Sequence, residues 1–407
     1  MQLTNFRCYR QLDLALSPGR TVIVGENAQG KSSLLEAVFL CATTRSPFAG
    51  ADRELVRWDA GADDALAYGQ VTAVIQRADG RRRIEVVLML ASSNGAEERT
   101  VSKRLRVDGA ARRAVDALGT LRVVLFAPQD LALIDGPPTQ RRRYLDVLLC
   151  QMDRDYCRAL SQAGRVVTQR NHLLRQLRGR GGSDELIFWD EQLSEAAATV
   201  LARRHDVVNE LARRARAIHE DLTQTPEVLE IRYEDTLAAR RDALGMPPVD
   251  VREDLQAAMC QVLAAPSVRR EEIARGATVV GPHRDDLAFT VEDVDMRAYG
   301  SRGQQRTVAL SIKLAEAETM AEGSGEEPVM LLDDVLSELD LPRREFLLGR
   351  LPTDRQTLIT TTDLGQVPAA HLDGARVVTV AGATVLPVGA GDEVPVGGAP
   401  DSWSDAS

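Results

Sequence analysis

The chain has 407 residues, 44% hydrophobic and 27% charged, an ordinary globular composition long enough for about two or three domains. That excludes a wholly disordered chain and a fibrous repeat, and no stretch approaches the roughly 20 apolar residues that span a bilayer. A formal charge of −10 excludes a uniformly basic nucleic-acid surface, though not a local one.

The N-terminus, MQLTNFRCYR, lacks an apolar signal-type segment, so a soluble, cytoplasmic protein is expected. Cys8, Cys41, Cys150, Cys157 and Cys260 form no C-x-x-C pair and no metal-ligand spacing with His, which favours reduced thiols.

Residues 1–135 read as the N-terminal part of a mixed α/β domain. Residues 21–24 form a short apolar strand. From residue 33, Leu34, Leu35, Val38 and Phe39 recur at helical spacing. Between them, Gly25-Glu26-Asn27-Ala28-Gln29-Gly30-Lys31-Ser32 fits G-x-x-x-x-G-K-[ST]. A strand before and a helix after are the context in which that pattern cradles phosphates. Loop amides as far as Ser33 wrap the β-phosphate, Lys31 adds charge at the β- and γ-phosphates, and the Ser32 hydroxyl ligates Mg²⁺. A glycine turn with a solvent lysine is the plainer reading, but lysine occurs only at Lys31, Lys103 and Lys313. Residues 84–90 and 121–126 read as further strands, with turns at Gly80, Asn94-Gly95 and Asp108-Gly109.

Residues 136–274 read as a helical lobe rich in Arg, Leu and Ala, broken at 179–183 and 223–226. No heptad persists, so antiparallel helices are expected and not a long coiled coil. Residues 141–180 hold ten arginines against three acids. Arg170, Arg175 and Arg178 are candidates for phosphate contacts with DNA; solvated helix faces are the other reading. No aromatic series interleaves them, which disfavours base recognition.

Residues 275–388 return to strands at 278–280, 287–291, 329–332, 356–360 and 377–387. The runs at 329–332 and 356–360 look like central parallel strands, so the N- and C-terminal parts share one sheet around the inserted lobe. His283-Arg284-Asp285-Asp286 is either a DNA or partner contact or a salt-bridged turn. Ser301-Arg302-Gly303-Gln304-Gln305-Arg306 opens a helix. Its amides, with Ser301, Gly303 and Gln304, suit either a γ-phosphate held by a second subunit or a plain helix cap. Residues 329–334 are four apolar residues followed by Asp333 and Asp334. A carboxylate ending a buried strand needs a cation or a donor, which assigns Asp333 to Mg²⁺ beside Ser32 and Asp334 to the attacking water. The spacing of Ser337-Glu338-Leu339-Asp340 matches the loop that carries an aspartate across the interface of dimeric ATPases; Ser337 is also a plausible N-cap. Residues 389–407, rich in Gly, Pro and acid, are expected to be disordered.

Together, GENAQGKS, FAPQDL (126–131), GPPTQRRRYLD (136–146), GPHRDDL (281–287), SRGQQRT and LLDDVLSELD resemble the RecF family of DNA replication and repair proteins over residues 3–385. The resemblance implies an α/β fold, an ABC-type P-loop ATPase head with a mixed central sheet, related to SMC heads, plus an inserted α-helical lobe. It implies ATP and Mg²⁺, an ATP-dependent homodimer, and binding to gapped or junction DNA, including single strands. It also implies cooperation with RecR and RecO in loading RecA, and a part in the SOS response. Lys31, Asp334 and Gln129 would then serve catalysis, with Gln129 sensing Mg²⁺ and the water; on its own Gln129 reads as a turn residue after Pro128.

Two departures stand out. The chain starts at its first strand, where the family usually has several more residues, so an incomplete first sheet edge is expected. The stretch ending Thr360-Thr361-Thr362-Asp363 puts Thr362 where ABC ATPases commonly place a histidine near the γ-phosphate. A hydroxyl donates a hydrogen bond but carries no charge, so slow hydrolysis is expected. The main alternative is the nucleotide-binding subunit of an ABC transporter. There the signature lies far closer to the phosphate loop than Ser301 lies to Lys31. A relic scaffold would not need Lys31, Ser32, Asp333 and Asp334 intact, and a small-molecule kinase would need neither the Ser301 nor the Ser337 loop.

Overall fold

A computed structural model describes residues 1–60, 67–91, 100–178, 184–249, 254–353 and 355–387. The turn at Asn94-Gly95 and the tail 389–407 lie outside them. The chain opens with a hairpin, β1 (Gln2–Phe6) and β2 (Tyr9–Asp13), then β3 (Arg20–Val24) and helix α1 (Lys31–Thr43). Next come β4 (Tyr68–Arg77), β5 (Gly80–Ala91), β6 (Thr100–Val107) and β7 (Ala110–Arg112). They join the hairpin in an antiparallel sheet of order β2-β1-β4-β5-β6-β7. β1 is thus an inner strand of that sheet, between β2 and β4.

After α2 (Ala114–Ala117), β8 (Val123–Phe126) and α3 (Ala132–Asp135), the chain leaves the head. The lobe is built from α4 (Pro138–Met152), α5 (Arg154–Gln176), α6 (Glu185–Thr223), β9 (Leu229–Glu234), α7 (Thr236–Ala243), α8 (Leu255–Ala264) and α9 (Pro266–Arg275). β10 (Asp286–Val291) and β11 (Val294–Asp295) pair with β9 in a small antiparallel sheet. The return to the head runs through α10 (Arg302–Ser324), β12 (Val329–Asp333), α11 (Leu341–Gly349), β13 (Thr357–Thr361), β14 (Arg376–Ala381) and β15 (Thr384–Pro387). The central sheet has the order β15-β14-β3-β13-β12-β8 and is parallel except at β15.

The continuous apolar runs of β3, β8, β12 and β13 follow from burial on both faces. Val22, Val124, Phe126, Leu332 and Ile359 join one core with α4, α6 and α10. Ile23, Val123, Leu125, Leu331 and Leu358 face the other way, in a core shared with α1. From Leu34 onwards α1 is buried all round, because it is wedged between the two large sheets.

Helix α6 has 39 residues, a rod of about 58 Å. It places Leu193, Ala197 and Leu201 in the lobe core and Val207, Val208, Leu211 and Ile218 in the head core. One rigid element therefore spans both cores.

β9, inside the segment expected to be helical, pairs along its length with β10 beyond residue 274, and both strands pack into the core shared with α4, α10 and the central sheet. Residues 278–280 are not a strand. The polar turn that follows is internal: Asp286 pairs with the buried Arg141 at 2.6 Å, and Asp285 accepts from Thr236 and Tyr233. For these acids the salt-bridged turn is the reading that holds.

One revision concerns DNA. Arg170 has 0% of its surface exposed. Its Nε donates to Asp190 at 2.9 Å, Nη2 to Glu272 at 2.6 Å and Nη1 to the Thr278 hydroxyl at 2.9 Å. All three nitrogens are engaged within the lobe, so Arg170 cannot contact DNA; it joins α5 to α6 and α9. Arg141, Arg142 and Arg143 are likewise bonded internally, so the local excess of arginine overstated any basic surface. All five cysteines are free thiols. Among the described residues no helix is long and apolar enough to cross a membrane.

Two measurements test this seam. Arg170→Ala leaves the buried Glu272 carboxylate without its cation and leaves Asp190 with Arg269 alone, and should cost ~3–5 kcal/mol in denaturant unfolding. The His283 imidazole is pushed down to about 4, chiefly by burial, with neighbouring arginines adding to the effect. The unfolded chain then binds the extra proton first, so stability is lost as pH falls from about 6.5 towards 4. His283→Gln should flatten that part of the melting-temperature profile; parallel profiles for the two proteins would contradict it.

Candidate nucleotide site

The phosphate loop joins the end of β3 to α1, and two contacts explain its glycines. A Cβ on Gly25 would meet the Val380 carbonyl oxygen at 2.3 Å, because β14 runs directly beside it. Gly30 has φ 111°, a left-handed conformation, and a Cβ there would meet the Cys8 sulfur at 2.7 Å. The loop is pinned from both sides. The Tyr9 hydroxyl donates to the Gly30 carbonyl at 3.1 Å, and the Gln29 side chain accepts from the Gly382 amide at 2.6 Å. Glu26, Asn27 and Ala28 are exposed at the tip.

Lys31 is buried, and its Nζ donates to the loop carbonyls of Gly25 at 2.6 Å and Glu26 at 2.8 Å. Burial lowers its pKa, while Asp334 and Asp333 oppose that shift. The Ser32 hydroxyl donates to Asp333 Oδ1 at 2.8 Å across 301 residues of sequence. The Thr360 hydroxyl donates to the same oxygen at 2.8 Å. Burial raises the Asp333 pKa, and these two hydroxyls pull it back. Thr360 also accepts from the Asp334 amide at 2.9 Å. Asp334 takes a left-handed conformation, φ 52°, and its buried Oδ1 has no hydrogen-bond partner. A strained residue with an unsatisfied carboxylate oxygen is what a site awaiting a ligand looks like.

This donor set fits Mg²⁺. One hydroxyl and one carboxylate suit a small octahedral cation that takes its remaining ligands from phosphates and water. Among the described residues, no group of three or more His, Cys, Asp or Glu could hold a metal unaided. A cation here depends on the phosphates arriving with it.

Lys31, Ser32, Ser33 and Asp334 line one cavity of about 720 Å³, with Asn27, Ala28 and Gly30. Ser301, Gly303, Gln304 and Asp340 do not line it. Ser301 caps α10, its Oγ accepting from the Gln304 amide at 3.3 Å while Gln304 Oε1 accepts from the Ser301 amide at 3.0 Å. Gln304 and Asp340 share a different cleft of about 430 Å³. Asp340 caps α11 through the Arg343 amide at 3.0 Å. Gln129 is exposed on the 3-10 turn after β8, outside the cavity.

Sequence reasoning chose Thr362 from the threonine run, but Thr362 is exposed beyond β13, and Thr360 is the residue that holds the acidic pair. The signal lay in strand register: β12 and β13 are parallel with Asp333 opposite Thr360.

A phosphate loop and an acidic strand on a parallel sheet, beside an antiparallel sheet and split by an inserted lobe, define an ABC-type P-loop ATPase head. The model of the RecF/RecN/SMC N-terminal domain matches residues 1–382. The DNA replication and repair protein RecF of Chloroflexus aurantiacus is 44% identical, the match covering 92% of this chain and 95% of that one. RecF of Herpetosiphon aurantiacus is 43% identical, covering 92% and 97%. Two solved structures of the recombination mediator protein RecF in the RecFOR pathway, RecF-ATPrS and RecF-ATP, share 30% identity at TM-score 0.81 and cover 95% of this chain. The chain belongs to the RecF family.

Gly25→Ala forces a Cβ against a strand backbone that cannot yield cheaply. We expect a loss of about 1–3 kcal/mol in denaturant unfolding, together with weakened nucleotide binding. Unchanged stability would contradict the close approach of β14.

Proposed function

We propose that this protein is an ATP-driven clamp on DNA that acts as a dimer in cytoplasmic replication and repair. The observation that carries the reading is the division of the site within one chain. The phosphate loop and Asp334 line one cavity; the Ser301 helix start and Asp340 lie outside it and are exposed. Gly303 supports the same reading, since a Cβ there would have nothing within 4 Å in its own chain. A glycine that the fold does not require suits close approach by another molecule.

Each copy binds Mg-ATP through the loop. Lys31 exchanges its carbonyl acceptors for phosphate oxygens; Ser32 and Asp333 would hold Mg²⁺, which would supply positive charge to offset that of the phosphates. Asp334 accepts a hydrogen bond from the attacking water through its free oxygen, and Thr360 keeps both acids oriented. Gln129 and Thr362 approach this centre only once the two copies close. The Ser301–Gln304 turn of the second copy closes on the γ-phosphate, where the amides at the start of a helix favour an anion. Without a cationic residue at the Thr362 position hydrolysis is slow, and DNA accelerates it by favouring the closed dimer. Closure follows because ATP binds the closed state more tightly than the open one. By likeness to the family, the DNA is gapped or a junction, and the partners are RecR and RecO in loading RecA during the SOS response.

Arg175 and Arg178 remain as DNA candidates. Both are exposed on the last turn of α5 or just beyond it. Both lie against Gly276, which ends α9. Arg178 therefore also offsets a helix C-terminus.

Sedimentation tests the assembly. Wild type should double in mass with a nonhydrolysable ATP analogue, and Ser301→Arg should bind nucleotide yet stay single. A wild type that remains single at saturation, with or without duplex, ends the clamp reading. Reversing charge at Arg175 and Arg178 should weaken DNA binding and reduce the salt slope by about 1 for each lost phosphate contact, with ATP binding intact. Unchanged affinity would move the DNA path off this helix end.

A further inference from the structure

Two of the five free thiols meet where the chain passes from the head core into the lobe core. Helix α4 ends at Met152, α5 begins at Arg154, and Asp153 alone joins them. Cys150 lies in the last turn of α4 and Cys157 in the first turn of α5, nearly mirrored across that corner. Both are partly exposed. The Cys150 thiol donates a hydrogen bond to the Cys157 sulfur.

The corner that presents them is tightly held. Asp153 accepts from the Asp155 amide at 2.8 Å and the Tyr156 amide at 3.1 Å, and it pairs with Arg203 of α6 at 2.9 Å. The Cys157 amide donates to the Asp153 carbonyl at 3.2 Å. Beside Cys150, Gln151 bonds both backbone groups of Val123, at 2.9 and 3.2 Å. Beside Cys157, the Tyr156 hydroxyl donates to Asp146 at 2.5 Å and accepts from Arg204 at 3.0 Å. Asp146 stands one helical turn before Cys150, on the same face of α4. The face of α4 that carries Cys150 is therefore the one that α5 engages, and the two sulfurs are neighbours by construction.

We infer that Cys150 and Cys157 form an oxidisable pair, a site at which a hydroperoxide converts two thiols into a disulfide that staples the α4–α5 corner. The inference is independent of the nucleotide reading. Cys157 is the attacking group. The hydrogen bond from Cys150 lowers its pKa against the effect of burial, and Arg45 and Arg158 add to the lowering. That same bond, with burial, holds the Cys150 thiol protonated. By contrast Cys41 is buried, which pushes its thiol up to about 12 and leaves it inert. The Cys157 thiolate attacks one peroxide oxygen and the O–O bond breaks. The leaving oxygen takes up a proton and departs as water or an alcohol, and Cys157 becomes a sulfenic acid. Cys150 sulfur then attacks the Cys157 sulfur, and the Cys150 proton leaves with the sulfenic hydroxyl as water. Two thiols are oxidised and one peroxide is reduced. Where thiols are kept reduced, a disulfide of this kind forms only while oxidant is present.

The test treats the full chain with hydrogen peroxide. The number of reactive thiols should fall from five by two, and dithiothreitol should restore them. Peptide mapping of the single-copy species should find Cys150 joined to Cys157. Under the same treatment Cys157→Ser should form no disulfide, while Cys150→Ser should leave a sulfenic acid at Cys157 that dimedone captures. Oxidised wild type should melt higher than reduced, because the staple restricts the unfolded chain. Five thiols that survive peroxide sufficient to oxidise free N-acetylcysteine overturn the inference, a result that needs no variant. So does a disulfide that joins two copies, or dimedone capture elsewhere than at Cys157. A Cys150–Cys157 disulfide that leaves the melting temperature unmoved overturns the stapling.

Discussion

Asp333 is the constraint around which the head is arranged. A carboxylate at the end of a strand buried on both faces is costly unless donors or a cation reach it. Two hydroxyls do so, Ser32 from the helix after β3 and Thr360 from the end of β13, each at 2.8 Å. Their convergence requires β3, β13 and β12 to be neighbours in parallel register, so that all three strands end at the same level. The parallel register is therefore what makes the phosphate site possible. Lys31 and Asp334 depend on it too, one through the loop that follows β3, the other through its amide bond to Thr360.

The antiparallel sheet serves the same site from the other side. It holds α1 against the central sheet and delivers the β1–β2 turn to the phosphate loop. Arg7 ties that turn to α1 through a two-pronged pair with Glu36 at 2.7 Å. The cavity walls are thus set by two sheets gripping one helix.

The lobe is coupled to the head by one continuous helix and a polar seam. α6 packs on α10, whose first residues form the Ser301 turn, and runs on into the lobe core. Buried Arg204 bridges Asp146 of α4 and the carbonyl of Pro282, beside the Arg141–Asp286 pair. A shift of the Ser301 turn therefore acts on a rod and cannot be absorbed by a flexible linker.

The phosphate loop, the doubly buried strands and the acidic pair were legible because each is set by neighbours along the chain: a glycine pattern, an apolar run, two acids after it. The resemblance to RecF rested on the same local strings. Where the chain had to be folded to know the answer, local reading failed. Arg170 looked like surface charge on a helix, yet helices distant in sequence enclose it. Thr360 and Thr362 are alike in sequence, and only strand register chose between them. β9 lay in a segment read as helical, and its strand partner is far along the chain. Cys150 and Cys157 had no motif to announce them, since they meet only across the corner between α4 and α5. Backbone chemistry over a few residues dictates the motif; burial and pairing between distant segments decide which side chains that motif encounters.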